Sequence, residues 1–248
     1  MAAGRRQSLK RPIEWFQRLI EGCRLESSAA DSLAADGFAV IDGPAPPEPL
    51  KALSSAYDRA VAEATASERS VGATTTRLHD LVNRGAEFDG LYLHPPLLAA
   101  ARQVVGHPFK LSNMLARTVH PRAQAQRCHT DVAPGQDGWP MLGFILMLDP
   151  FTAENGATRF LRGSHKDSRA IESAREQELV PATGDRGCMV IFHGSVIHGH
   201  GRNVTDRARR SIQGAYIPRH ARGFGLADRM THDTRIRIGE LAEYLIAV

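Results

Sequence analysis

Apolar positions in the first part of the chain recur at helical spacing. Ile13, Phe16, Leu19 and Ile20 stand three and four residues apart, and Pro12 before them is a residue that opens helices. A second short helical stretch ends at Gly37. Phe38-Ala39-Val40-Ile41 then reads as a strand, stopped by Asp42-Gly43-Pro44. Pro46-Pro47 precedes a long helix whose Leu50, Leu53, Tyr57 and Val61 form one core-facing stripe. Residues 74–82 contain a strand candidate, followed by irregular chain through Asn83-Arg84-Gly85. Pro95 and Pro96 open another helix, with Leu97, Leu98, Ala101, Val104 and Val105 inward and Gly106 as its stop.

From Phe109 onward the pattern changes to short extended runs. Residues 109–119, 126–131, 141–148, 189–192, 197–200 and 209–217 are the strand candidates. Residues 141–148 are almost continuously apolar, as a strand buried on both faces would be. Glu154-Asn155-Gly156 signals a hairpin, because Asn-Gly accepts the positive φ of a type I′ turn. The longest polar connections are residues 130–140, which include Trp139, and 162–185. Loops of this kind carry function when a rigid barrel positions them. Residues 236–248 read as helical, with Leu241, Tyr244 and Leu245 on one face. The layout is helices first, then roughly eight short strands, with no internal repeat and no linker. We expect a disordered basic lead over residues 1–12 and one domain over 13–248.

The chain has 248 residues, 42% of them hydrophobic, which suits one sizeable domain with a proper core. The net charge of +4 equals the charge of Arg5, Arg6, Lys10 and Arg11 alone. The folded body is then near neutral and lacks the basic face of a nucleic-acid binder. No apolar run is long enough to span a membrane, and no apolar segment follows the basic lead as in a signal peptide. Cys23, Cys128 and Cys188 are odd in number and widely spaced. They form neither a disulfide framework nor a zinc pattern, which fits a cytoplasmic protein. The oligomeric state is open at this stage.

The chemistry centres on Cys128-His129-Thr130-Asp131. On an extended strand, side chains two apart share a face, so His129 and Asp131 would lie side by side. They supply two of the three ligands of a 2-His-1-carboxylate iron site with open coordination positions. A solvated strand end with a surface ion pair would show the same short pattern. Cys128 is expected on the opposite face as a small buried hydrophobe. A second histidine-bearing stretch, Ile197-His198-Gly199-His200-Gly201-Arg202-Asn203, belongs to a different strand, and a barrel is needed to bring the two together. His198 and His200 have the same parity, so spacing leaves both open as the third ligand. In Arg207-Ala208-Arg209-Arg210-Ser211, Arg209 and Ser211 share a face. An arginine inside a barrel needs an anion, and a carboxylate is its natural partner. Three arginines in four residues cannot all be buried, so at least one is solvated.

The ordered set Gln126-x-x-His129-x-Asp131, Glu154-Asn155-Gly156-Ala157-Thr158, Gly163-Ser164-His165, His198-Gly199-x-Gly201-x-Asn203 and Arg209 resembles the phytanoyl-CoA dioxygenase family. The resemblance runs from about Phe38 to the C-terminus and is strongest from Gln126 to Ser211. It includes the eleven-residue step from His198 to Arg209. It implies a mainly β fold with flanking helices, a double-stranded β-helix or cupin-like jelly roll. It implies Fe(II), 2-oxoglutarate and O2, with His129, Asp131 and His198 as iron ligands and His200 as a non-ligand. Arg209 would pair with the distal carboxylate of 2-oxoglutarate. Gln126, Thr158 and Ser211, with the apolar Met114 and Ile145, would complete the cosubstrate contacts. Two departures stand out: Arg162 replaces the family's usual proline, and His193 stands where an acidic residue is common.

The reaction so implied is oxidative decarboxylation of 2-oxoglutarate to succinate and CO2, coupled to oxidation of a substrate C–H bond, hydroxylation first among the outcomes. The partner is a small-molecule substrate, with neither nucleic acid nor membrane. Related iron halogenases replace the carboxylate by a small residue, so the presence of Asp131 implies a hydroxylase type. The rival readings are a metal-binding jelly roll without redox activity and a zinc-dependent hydrolase or isomerase at the same ligands. Arg77 and Arg84 are candidates to meet an acidic substrate, against the alternative that each is solvated.

Overall fold

The computed structural model describes residues 12–44, 47–133, 140–166, 175–223 and 225–246. Residues 1–11 of the expected lead, Pro46, residues 134–139 of the first long connection with Trp139, and residues 167–174 of the second lie outside the described residues.

Three helices and a strand come first. They are α1 (Pro12–Ile20), α2 (Ser27–Asp36), β1 (Phe38–Ile41) and α3 (Pro47–Glu63). Strands β2 (Arg69–Val71) and β3 (Thr75–Leu78) and helix α4 (Pro95–Val105) follow. Then come β4 (Phe109–Val119), β5 (Leu142–Met147), β6 (Thr158–Leu161), β7 (Leu179–Pro181), β8 (Met189–His193), β9 (His198–His200) and β10 (Arg209–Pro218). Short helices α5 (Leu226–Arg229), α6 (His232–Arg237) and α7 (Glu240–Ile246) close the chain.

The strands form two antiparallel sheets. The larger has the order β1-β8-β5-β10-β4-β3-β2, and the smaller β7-β6-β9. All six residues of β5 are buried, because helices cover one face of the large sheet and the small sheet faces the other. The helical face packs Phe16, Leu53, Tyr57 and Leu98 against Leu142, Phe144 and Tyr216. Between the sheets, Phe38, Phe160, Val190 and Phe192 form a second core. This is the expected jelly-roll arrangement.

Four local expectations change. Residues 126–131 form no ladder strand; they contribute a single bridge, His129 with His198. The 162–185 connection contains β7. The expected terminal helix is two short ones, split at Ile238, where the chain is extended (φ −74°, ψ 145°). The Asn155-Gly156 turn joins strands of different sheets and is not type I′. Gly156 has φ 81°, but Asn155 is absent from the positive-φ residues among those described. Its side chain instead accepts from Thr152 N at 3.0 Å, while its own N–H donates to Thr152 Oγ1 at 3.2 Å. Those two bonds hold Asn155 out of the left-handed region that a I′ turn needs.

Candidate metal centre and cosubstrate pocket

His129 and Asp131 reach the barrel interior through backbone pairing. His129 exchanges two backbone hydrogen bonds with His198, each 2.9 Å, and Asp131 N–H donates to Gly194 O at 2.8 Å. His129 Nε2 then lies 3.7 Å from Asp131 Oδ1, and His198 Nε2 lies 3.8 Å from Asp131 Oδ2. Donors around one ion at about 2.1 Å each are roughly 3–4 Å apart, so the triad has the span of a metal site. His129, Asp131 and His198 offer donor atoms all within 4.8 Å of one another.

The remaining ring nitrogens fix the tautomers. His129 Nδ1 meets Arg127 O at 3.2 Å, and His198 Nδ1 meets Val196 O at 2.9 Å. A carbonyl only accepts, so each Nδ1 carries the proton and each Nε2 presents its lone pair to the metal. His198 is packed beside Phe160 and Phe192, and that burial lowers its pKa, opposing the pull of Asp131. The neutral imidazole, the form a metal binds, is thereby favoured. His200 has the same parity and is equally buried, yet it lies outside the triad. Its Nδ1 is bonded to Gly201 O at 2.8 Å, and burial pushes its pKa down to about 4.

Arg209 shows what else the site is built for. It is 1% exposed, and Nε, Nη1 and Nη2 all lack a hydrogen-bond partner. Its Cζ sits 3.8 Å from the centroid of the Phe151 ring. Burial, and then neighbouring Arg117, push its pKa down to about 9. A buried, uncompensated guanidinium is strongly unfavourable. The residues therefore fit an anion brought from outside, such as one end of a dicarboxylate whose other end reaches the metal. Arg210 points away and is held by Asp149 and Asp58, while Arg207 is exposed. Arg209 and Arg210 thus take opposite faces at the start of β10, and Arg207 lies before the strand begins.

A cavity of about 660 Å³ opens beside the triad, with Leu115, Arg117, Gln126, Ile145, Phe192 and Gln213 in its wall. Gln126 and Ile145, both named from the sequence, line this cavity. Ser211 is fully buried on the Arg209 face of β10, and its Oγ donates to Arg117 O at 3.2 Å. Thr158 is buried opposite His200 in the β6–β9 register. Met114 is not brought to the site. It packs into the helix-side core, and its neighbour Leu115 lines the cavity instead. Arg77 also lines the cavity, whereas Arg84 is paired with Glu68. Cys128 packs with Leu161, Leu179 and Ile197, on the side away from the triad. Of the two departures, Arg162 bonds Asp36 Oδ2 at 2.9 Å, and His193 Nδ1 lies 2.8 Å from Ser195 Oγ.

Arg117 had no signal in the sequence, whereas His200 was singled out there by its parity with His198. Arg117 donates to Gln126 Oε1 at 2.7 Å, and only its register with β10 turns it inward. His200 keeps a buried Nε2 with no partner, close enough to Arg117 and Arg209 for both to lower its pKa.

Jelly roll, facial triad and isolated arginine together define an Fe(II)/2-oxoglutarate-dependent dioxygenase, with O2 as the oxidant. The chain belongs to the phytanoyl-CoA dioxygenase (PhyH) family, whose model matches residues 33–211. The dioxygenase FrzG of Cladobotryum sp is 29% identical over 227 residues, covering 76% of this chain and 73% of FrzG. HygX from Streptomyces hygroscopicus, solved with nickel and 2-oxoglutarate bound, superposes with TM-score 0.66 at 18% identity, covering 79% of this chain and 89% of that one. SnoN, a non-heme α-ketoglutarate-dependent epimerase from nogalamycin biosynthesis, superposes with TM-score 0.64 at 19% identity, covering 77% of this chain and 82% of that one.

Proposed function

We propose that this protein oxidises a C–H bond of a small organic substrate, hydroxylation being the default outcome, with succinate and CO2 as coproducts. The observation that carries the reading is the complete triad with its carboxylate, Asp131, beside a buried arginine that lacks an anion. In this reading His129, Asp131 and His198 bind the iron, and their Nδ1–H···O=C bonds hold both rings in orientation. Arg209 binds the distal carboxylate of 2-oxoglutarate, with Ser211, Thr158, Gln126 and Ile145 shaping the pocket around it. Iron and 2-oxoglutarate, when bound, supply the activation of dioxygen. Phe192 and Ile145 keep the reacting volume apolar and limit access of bulk water.

Asp131 also supports a hydroxylase over a halogenase, since an occupied carboxylate position leaves a halide no vacated one. SnoN is an epimerase, so a jelly roll of this type also serves other outcomes. Those outcomes depend on where the substrate radical sits. Among the described residues no helix is long and apolar enough to cross a membrane. The test is succinate release from 2-oxoglutarate under oxygen with added Fe(II), followed by mass spectrometry of the substrate in excess chloride or bromide. A product heavier by one oxygen is expected. A halogenated product would overturn the hydroxylase reading. Activity with Zn(II) and no oxygen would favour a hydrolase or isomerase, and no turnover with any metal would favour a non-redox binding module.

A further inference from the structure

The cavity holds more positive charge than iron and cosubstrate use. Arg77 and Arg117 face each other directly in the antiparallel β3–β4 register, and both line the cavity. Like charges placed opposite on a sheet repel. Arg117 is the deeper of the two, and burial together with Arg77 pushes its pKa down to about 10. Its partners are neutral amides, Gln126 Oε1 at 2.7 Å and Gln213 Oε1 at 3.5 Å. No carboxylate among the described residues forms an ion pair with Arg77 or Arg117. Asp131 acts on Arg117 from a distance, but its charge is committed to the metal. The third arginine on the cavity wall, Arg229, is already neutralised by Asp80 at 2.7 Å.

The charge count makes the surplus explicit. Iron(II), Asp131 and doubly charged 2-oxoglutarate sum to one negative charge. Arg209 offsets that charge, which leaves Arg77 and Arg117 uncompensated beside the reacting volume. We propose that Arg77 and Arg117 form a second anion site that binds a carboxylate of the primary substrate, so that the enzyme acts on organic acids. The inference rests on the iron and 2-oxoglutarate reading above.

The test uses protein loaded with Fe(II) and 2-oxoglutarate under nitrogen. Calorimetry would compare benzoate, 3-phenylpropanoate and octanoate with their primary amides, in wild type, Arg77→Gln and Arg117→Gln. Arg77 is only half-buried, so Arg77→Gln keeps the fold even where Arg117→Gln loosens it. The expected result is at least one acid bound about tenfold or more tighter than its amide, a preference that vanishes in both variants. A wild type indifferent to the acid–amide exchange would overturn the proposal. So would variants that keep the preference while losing 2-oxoglutarate affinity, because the pair would then serve the cosubstrate. Failure of 2-oxoglutarate to bind the iron-loaded wild type would instead overturn the reading beneath it.

Discussion

His198 and His200 share a strand face and a buried environment, and one of them meets Asp131. Both pair with β6, and the difference lies on the other side: His198 is bridged to His129, whereas His200 O accepts from Gln126 N–H at 3.0 Å. We therefore expect His129→Ala, Asp131→Ala and His198→Ala each to lose bound iron, and His200→Ala to retain it, as measured by metal content after desalting. Iron lost from His200→Ala but kept by His198→Ala would reverse the assignment. The arginines divide in the same way. Removing one partner of a desolvated charge pair costs roughly 2–5 kcal/mol, so Arg209→Ala should raise the apparent KM for 2-oxoglutarate steeply. Arg207→Ala and Arg210→Ala should change it little, and equal effects of the three in a 2-oxoglutarate titration would mean the run acts diffusely. The meeting of His129, Asp131 and His198 and the burial of Arg209 were legible in the sequence because the ordered motif carries these residues. Arg117 was not, since Ala-Arg-Thr-Val contains no local sign of burial. Met114 was misplaced by one position, and in a strand one position exchanges the two faces.

At the scale of elements, β4 explains why parity was hard to read. Its pairing with β10 shifts between Ala215 and Tyr216, opposite Ser112. Leu111 and Asn113 thus lie on different faces although they are two residues apart, Leu111 in the helix-side core and Asn113 on the cavity. The glycines and polar residues of the motif, by contrast, hold elements together. Ser164 Oγ donates to Leu161 O at 2.7 Å and accepts from Ile197 N at 2.9 Å, tying the end of β6 to the start of β9. Asn203 is fully buried between β9 and β10. Its Nδ2 donates to His120 O and Arg207 O, both 2.8 Å, and its Oδ1 accepts from Thr205 N and Oγ1. Asn203→Ala leaves these groups unpaired and should destabilise the fold by about 2–4 kcal/mol, read as a lowered midpoint in urea unfolding. An unchanged midpoint would show that the turn holds without it. Gly37 ends α2 with φ 86°, and a Cβ there would stand 2.6 Å from His165 Nδ1 and 2.9 Å from Val196 Cγ2. Gly37→Ala combines left-handed strain with that clash and should cost at least about 1–2 kcal/mol in the same assay.

Across the whole molecule, the helices cover one face of the large sheet and leave the other to the small sheet, and the site sits at the open end between the two. The spacing of apolar and polar positions foretold the helices before β4 and most of the large sheet, but not α5 or the break at Ile238. It was silent on β2 and β7, each three residues long, whose pairing depends on neighbours far along the chain rather than on their own pattern. The central claim is that the triad and Arg209 act as one receptor, iron gripping one end of 2-oxoglutarate and the guanidinium the other. Calorimetric titration of 2-oxoglutarate under nitrogen, into the protein with and without Fe(II), tests this most directly. The account predicts one site per chain when iron is present and at least about tenfold weaker binding when it is removed, since the chelated end then loses its partner. Equal affinity with and without iron, or no binding in either case, would contradict it.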